Sequence, residues 1–120
     1  MQYMLLIYGD EGTWEARSEA EQSTLGEEYG RLSRDLRAQD KLRGGEELQP
    51  VTTATTVRVR NGDTLVKDGP FAEPREQLGG YCLIEADSLD DAIARAERIP
   101  AAQYGTIEIR PVREHSEYRE

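Results

Sequence analysis

Apolar residues fall along this chain in two kinds of pattern, short unbroken runs and regularly spaced stripes. The unbroken runs are residues 3–8 (YMLLIY) and 81–86 (YCLIEA), whose length is typical of buried strands. Residues 106–110 (TIEIR) alternate apolar and polar side chains, which predicts a strand with one solvated face. We therefore predict strands near the beginning, in the second half and near the end of the chain.

The stripes predict two helices. The first opens with the capping pattern S-x-x-E at Ser18 and should end before residues 44–45 (GG). The second is capped by residue 87 or 88 and ends at Pro100, which cannot continue a helix. Their apolar stripes are Leu25, Tyr29, Leu32 and Leu36 in the first helix, and Leu89, Ala92, Ile93, Ala96 and Ile99 in the second.

The segment between the helices predicts a β-hairpin. Residues 55–60 (TTVRVR) and 64–67 (TLVK) flank Asn61-Gly62, a strong signal for a two-residue hairpin turn. Residues 47–49 (ELQ) are interpreted as a further short strand, and residues 72–78 as an irregular polar segment.

The resulting order is β-α-β, hairpin, β-α-β. This is an α+β, ferredoxin-like βαββαβ plan with an inserted β-hairpin, in which two helices cover one face of an antiparallel sheet. Residues 1–113 are predicted to form a single domain and residues 114–120 a polar C-terminal tail. The second sheet face stays uncovered. Because a large apolar patch is uncommon on a monomer, we predict a homodimer that pairs through this face.

Composition narrows the range of partners. The 120 residues are 37% hydrophobic and carry a formal net charge of −9, so nucleic-acid backbones and anionic membrane surfaces are repelled. We expect neither nucleic acid nor a membrane as a partner. Because no basic leader and no apolar segment of bilayer length are found, we predict a cytoplasmic location.

Few groups are suited to metal or cofactor chemistry. Cys82 is the only cysteine, lies in an apolar run, and is interpreted as a small core residue. Residues 79–80 (GG) lack the context of a nucleotide-binding loop. His115 is the only histidine and falls in the predicted tail, where exposure is the ordinary outcome. We predict no cofactor and no metal.

One block of residues is similar to a known family. Residues 67–81 (KDGPFAEPREQLGGY) resemble the DGPF signature of the YCII-related domain proteins. The opening residues 1–8, the hairpin region 53–67 and the closing residues 104–112 resemble that family as well. The likeness therefore extends over nearly the whole chain, from residue 1 to residue 113.

This resemblance implies a dimeric α+β barrel of ferredoxin-like subunits, in a group of bacterial proteins whose genes often lie beside those of alternative sigma factors. Relatives in the wider superfamily include a dehydrochlorinase, isomerases and monooxygenases. The wider family pattern has a histidine on the first helix and an aspartate after the second, taken as a catalytic pair. Here the corresponding residues are 25–30 (LGEEYG) and 99–102 (IPAA), so this pair is not carried over.

The residues of the DGPF turn are the first candidates for a site. The carboxylate of Asp68 either bonds to backbone N–H groups of its own turn or lies at the mouth of a pocket, as a base or a hydrogen-bond acceptor. Arg75 either holds an anionic ligand or forms a surface ion pair of little energetic worth. The predicted ligand contacts are Asp68, Arg75, Tyr8, Tyr29 and Phe71, and Asp68 is a weak catalytic candidate.

The aromatic residues have two interpretations. Tyr3, Tyr8, Tyr29 and Tyr81 either line a cavity or, as is commoner for aromatics near strand ends, belong to the core or an interface. Trp14, in the loop predicted after the first strand, either covers a pocket or packs at a dimer edge.

Two functions are compatible with these patterns. The patterns do not decide whether the protein is an enzyme. The first is binding, with or without turnover, of a small molecule near the DGPF loop, in a pocket between helices and sheet or inside the dimer barrel. The alternative is a non-catalytic regulatory module linked to an alternative sigma factor, since an acidic surface suits a basic protein partner. A dimeric scaffold without any ligand is the third possibility.

Overall fold

The computed structural model describes residues 1–114, which form a mixed α+β fold. Its strands are β1 (Gln2–Gly9), β2 (Leu42–Glu47), β3 (Thr55–Arg60), β4 (Asp63–Asp68), β5 (Gln77–Glu85) and β6 (Thr106–Pro111). Its α-helices are α1 (Glu11–Glu15), α2 (Glu19–Ala38) and α3 (Leu89–Ala96). Short 3₁₀ turns lie at Val51–Thr53 and Pro100–Gln103.

Four strands form one antiparallel sheet in the order β2-β5-β1-β6. The two apolar strands, β1 and β5, occupy its centre, as their unbroken hydrophobic runs predict. Strands β3 and β4 form a separate two-stranded sheet, joined by Asn61 and Gly62, which have φ values of 53° and 82°. Positive φ at both positions is the geometry of a type I′ turn, so the predicted hairpin is confirmed.

The core lies between the four-stranded sheet and helices α2 and α3. Alternate residues of β1, Tyr3 and Leu5, point into it, and Ile84 of β5 is fully buried there. The buried apolar residues are Tyr3, Leu5, Leu32, Leu36, Ile84, Ala86, Ala92, Ala96, Ile99 and Ala101. Two helices packed on one side of a sheet leave its other side without a covering layer.

The uncovered side of the sheet is apolar along its two central strands. Its residues there are the ones that alternate with the core residues, and they pair across the strands with one another. We call this surface the open face, and it consists of Met4, Leu6 and Tyr8 of β1 with Leu78, Tyr81 and Leu83 of β5. Each of the six side chains is half-buried by its neighbours in the sheet.

Helix α2 begins where the sequence pattern places it. The hydroxyl of Ser18 accepts a hydrogen bond from the backbone N–H of Glu21 at 3.1 Å, and the Glu21 carboxylate accepts one from the Ser18 N–H at 3.3 Å. This reciprocal pair is a capping box, which satisfies two N–H groups that have no partner inside the helix. At the start of α3 the Ser88 hydroxyl accepts a hydrogen bond from the backbone N–H of Asp91 at 3.1 Å, while the Asp91 carboxylate accepts one from the N–H of Asp87 at 2.9 Å.

We expect Ser18→Ala to lower the free energy of unfolding by about 1 kcal/mol, because it removes the acceptor at the helix start. Urea unfolding followed by circular dichroism measures this change. Ser23→Ala is the matched control, since Ser23 is exposed inside the same helix, where alanine is the better helix former. A Ser18→Ala variant as stable as the Ser23→Ala variant would contradict the capping role.

Several predicted boundaries were wrong, and glycine explains most of them. The predicted strand 47–49 is in fact β2, which includes Gly44 and Gly45, and residues 79–80 lie inside β5 rather than before it. A Cβ on Gly45 would stand 2.9 Å from the carbonyl oxygen of Tyr81, and one on Gly80 2.9 Å from that of Glu46. These glycines therefore permit close pairing of two strands, where the sequence suggested chain breaks.

Two other expectations also required correction. Trp14 lies in helix α1, not in a loop, because the Asp10 carboxylate caps this short helix through the N–H of Gly12 at 2.9 Å. The stripe of α3 is only partly buried, since Leu89 is 52% and Ile93 39% exposed. The buried residues of that helix are the small ones, Ala92 and Ala96, so α3 packs closely on the sheet and its larger apolar side chains lie at the surface.

Candidate functional site

The DGPF turn, residues 68–71, begins at the base of the hairpin formed by β3 and β4. Gly69 has φ of +100°, a conformation that side-chain-bearing residues rarely adopt. Its N–H donates to the carbonyl oxygen of Ala54 at 2.7 Å, and its own carbonyl accepts from the Thr56 hydroxyl at 2.8 Å. The turn is therefore fixed to the start of β3 from both sides.

After this turn the chain forms one wall of a cleft of about 250 Å³. The opposite wall is the 3₁₀ turn Val51–Thr53. Apolar groups dominate the lining, with a hydroxyl, an amide and one carboxylate among them. The lining residues are Val51, Thr52, Pro70, Ala72, Glu73, Pro74 and Gln77. Such a lining suits a ligand with an apolar body and few polar groups.

Glu11 and Gln77 hold the walls of the cleft together. The Glu11 carboxylate accepts a hydrogen bond from the Val51 N–H at 3.0 Å, and the Glu11 N–H donates to the Gln77 side-chain oxygen at 3.0 Å. The amide nitrogen of Gln77 donates to the Pro74 carbonyl at 2.7 Å. Helix α1, the 3₁₀ turn and the DGPF loop are thus connected by two side chains, which preorganise the cleft.

The candidate residues from the DGPF block lie around this cleft without lining it. Asp68 is exposed at the end of β4, opposite Thr55, and its carboxylate has no hydrogen bond or ion pair among residues 1–114. Phe71 is 75% exposed, although its chain neighbours form part of the wall. Arg75 is exposed as well, and its guanidinium has no ion pair within the described part of the chain.

The two candidate tyrosines lie on opposite sides of the sheet. Tyr8 is the penultimate residue of β1 and belongs to the open face, across from Thr106 of β6. Tyr29 lies on α2 at the edge of the core, where its hydroxyl accepts a hydrogen bond from the Ala101 N–H at 3.3 Å. Burial, together with the neighbouring hydroxyl of Tyr104, raises the pKa of Tyr29 above its usual range, so this phenol stays protonated. Within one subunit the two tyrosines do not meet.

A small cation–π contact lies next to Tyr29. The guanidinium of Arg17 stands 4.5 Å from the ring centre of Tyr104, and it forms a long ion pair of 3.7 Å with Glu21. The backbone oxygen of Trp14 accepts from the Gln22 amide at 3.0 Å. These contacts hold α1 and the turn before β6 against the start of α2, so their role is structural.

A second, shallower recess of about 580 Å³ lies at the β6 edge of the open face. Its floor includes Met4 and Leu6, and its rim carries the cationic side chains of Arg110 and Arg113. A face-to-face partner would convert this open recess into an enclosed one.

Other groups that carry reactive chemistry are inert or fall outside the site. Cys82 is half-buried, and burial raises the pKa of its thiol, which disfavours the reactive thiolate. Within residues 1–114, no three His, Cys, Asp or Glu side chains are grouped so that they could hold a metal ion. None of the described helices has the length and hydropathy needed to cross a membrane. His115 lies outside the described residues.

Sequence reasoning identified the loop but missed the residues that line the cleft. Glu73 and Gln77 belong to the segment 72–78, which was predicted to be irregular, and Val51 and Thr52 to a stretch given no role. Glu11 and Gln77, which hold the cleft together, were missed as well. The hydrogen bond between them joins residues 66 positions apart, and a contact of that range leaves no pattern in the residue spacing.

Comparison with known proteins agrees with the likeness seen in the sequence. The model of the YCII-related domain matches residues 1–116. A protein of Rhizobium meliloti (strain 1021), described as uncharacterized, is 38% identical over 114 residues, which cover 93% of this chain and 92% of the relative. Both matches extend over nearly the full length, and the chain belongs to the YCII-related domain family.

Proposed function

We propose that this protein binds a small molecule in the cleft beside the DGPF loop, as a member of the DGPF-motif subgroup. The observation that carries the proposal is the preorganised cleft itself, held by the hydrogen bonds of Glu11 and Gln77. Its volume of about 250 Å³ lies just below the range usual for drug-sized ligands, so the ligand is a small metabolite.

Glu73 gives the cleft its chemical preference. It is the only charged residue in the lining, and its carboxylate has no ion pair among residues 1–114. An acceptor of this kind favours a ligand that presents a hydroxyl, an amine or another hydrogen-bond donor. Asp68 and Arg75, which lie at the loop but outside the lining, serve as outer contacts for any part of the ligand that extends beyond the cleft.

The subunit arrangement proposed with this function is a homodimer of ferredoxin-like subunits. The strand order β2-β5-β1-β6, with the hairpin set apart, supports the ferredoxin-like plan. The apolar open face supports pairing of two sheets, which would enclose the recess at Met4 and Leu6. The Cα radius of gyration is 16.4 Å, against about 13.5 Å for a compact chain of this length, which also favours completion by a partner.

Binding is tested first by native mass spectrometry of the freshly purified protein, to detect a small molecule that remains bound. Glu73→Gln should weaken binding of that molecule about tenfold or more, because a hydrogen bond to a charged acceptor is lost. The melting temperature should stay unchanged, since the Glu73 side chain is exposed and unpaired within residues 1–114.

Two further variants locate the site. Glu97→Gln, at another exposed glutamate that directly follows α3 and is not part of the lining, should leave affinity unchanged. The exposed Asp68 carboxylate has no stabilising partner to lose among residues 1–114. Lower affinity in Asp68→Asn would therefore indicate a site that extends to the turn, and unchanged affinity a site confined to the cleft. Equal affinity for the Glu73→Gln and wild-type proteins would refute the cleft as the site. Retention of a sigma factor in place of a metabolite would favour the regulatory alternative.

A further inference from the structure

Two oppositely charged side chains border the open face on its edge strand, β6. In the pairing of β1 with β6, Glu108 lies opposite Leu6 and Arg110 lies opposite Met4. Directly opposed residues of antiparallel strands project to the same side of a sheet. The two isoleucines of β6 that alternate with these charges pack against the core. Glu108 and Arg110 therefore stand on the same side of the sheet as the apolar residues of the open face.

Neither charge is neutralised inside the subunit. Both residues are exposed, and neither forms an ion pair with any of residues 1–114. They do not pair with each other, although they are two positions apart on one side of the strand. Two free charges of opposite sign, in a fixed order along a strand, are complementary to a copy that presents them in the reverse order.

The two charges end two neighbouring rows of residues that cross the open side of the sheet. The glutamate row has a carboxylate at each end and consists of Glu46, Tyr81, Leu6 and Glu108. The arginine row has a glycine at one end and a guanidinium at the other, and consists of Gly44, Leu83, Met4 and Arg110. The centre of both rows is apolar, so the charges at the ends distinguish one way of stacking two sheets from another.

Two-fold symmetry permits two aligned ways of stacking this sheet on a second copy. An axis parallel to the strands places each row over the same row in reverse, so that Glu108 faces the partner's Glu46. An axis across the strands, between the two rows, places the glutamate row over the arginine row of the partner subunit. Glu108 then faces the partner's Arg110, apolar residues face apolar ones, and the remaining carboxylate faces a glycine. Only the second arrangement avoids contacts between like charges, which are costly at an interface.

We propose that Glu108 of each copy pairs with Arg110 of the partner subunit, so that these charges set the orientation and register of the sheet-paired dimer; this inference rests on the dimer of the proposed function. Stacked sheets lie about 10 Å apart, a gap that an extended glutamate and an extended arginine bridge from opposite sides. Charge complementarity along one edge of the open face thus selects a second copy as its occupant. Moving the axis onto either row would oppose two like charges, which excludes those registers.

Charge reversal tests the pairing. Glu108→Arg and Arg110→Glu each create two like-charge contacts per dimer, so the dimer dissociation constant from sedimentation equilibrium should rise at least about tenfold. The double variant Glu108→Arg, Arg110→Glu restores opposite charges at both contacts and should return to within about threefold of the wild type. Glu108→Arg also changes the formal net charge from −9 to −7. General repulsion between acidic chains would therefore predict a tighter dimer for this variant, and the pairing predicts a weaker one.

A mixture of the two single variants provides a second measurement. One of these chains carries two arginines at the paired positions and the other carries two glutamates. Each homodimer then opposes like charges, while the mixed dimer opposes only unlike ones. Native mass spectrometry of the equilibrated mixture should show more mixed dimer than random exchange of subunits gives.

Glu27→Arg and Arg31→Glu are the matched controls. Both residues are exposed on α2, the helix that covers the core side of the sheet, and the substitutions change the net charge by the same amounts. Each should leave the dissociation constant unchanged, and the two control variants should exchange subunits at random. Circular dichroism verifies that every variant is folded.

The outcomes separate the charge pairing from the dimer itself. A wild-type protein that stays monomeric would overturn the dimer and this proposal with it. Single variants that dimerise as tightly as the wild type, or that exchange subunits at random, would overturn the pairing and leave the sheet-paired dimer intact. A double variant as weak as the single variants would also overturn the pairing, because the two charges would then not face each other.

Discussion

Replacing Gly105 by alanine is expected to lower the free energy of unfolding by about 2–3 kcal/mol. A Cβ at this position would stand 2.2 Å from the carbonyl oxygen of Tyr8 and 3.3 Å from the Cα of Gly9. Both neighbours are backbone, and β1 is held there by its pairing with β6, in which Tyr8 faces Thr106. The N–H of Gly105 also donates to the Ala101 carbonyl at 2.7 Å, so neither segment can move without breaking hydrogen bonds.

Gly26→Ala is the matched control for this substitution. Gly26 is exposed in the middle of α2, and an added Cβ meets no atom of residues 1–114 within 4 Å. The same change should therefore stabilise the protein by about 0.5–1 kcal/mol. Urea unfolding of both variants at one fixed protein concentration measures the pair, since the stability of an oligomer depends on concentration. A Gly105→Ala variant with wild-type stability would show that the chain relaxes at this contact.

Local sequence signals predicted much of the fold. The caps at Ser18 and Ser88 and the turn at Asn61-Gly62 depend on residues within four positions of one another, and all three are present. The buried strands around Leu5 and Ile84 follow from unbroken apolar runs. Interactions of short range leave a pattern in the sequence, and such a pattern can be interpreted without knowledge of the fold.

The remaining features depend on contacts between distant segments. Gly45 and Gly80 look like chain breaks, but each permits the close approach of the neighbouring strand. The same limit applies to the candidate site, because the cleft is assembled by bonds from Glu11 to Val51 and Gln77. The DGPF turn identified the right loop, while Asp68 at its start lies outside the lining. Its role as an outer contact stays a prediction.

Leu6→Asp on the open face is expected to convert the proposed dimer into a monomer. Leu6 lies in the central strand of that face, where it pairs with Tyr81 and with Glu108 of the edge strand. In a two-fold dimer the change occurs twice, and each copy places an unpaired carboxylate in an apolar contact. We expect the dissociation constant to rise more than about a hundredfold, which corresponds to roughly 3 kcal/mol.

Sedimentation velocity at increasing concentration measures this shift, with Leu89→Asp as the control. Leu89 is 52% exposed at the start of α3, where an aspartate suits the helix N-terminus and no sheet contact is lost. Urea unfolding of Leu6→Asp separates loss of pairing from loss of fold, because a folded monomer keeps its circular dichroism. If Leu6→Asp and Leu89→Asp dimerise equally, the apolar side of the sheet is not the pairing surface, and the enclosed recess at Met4 and Leu6 does not form.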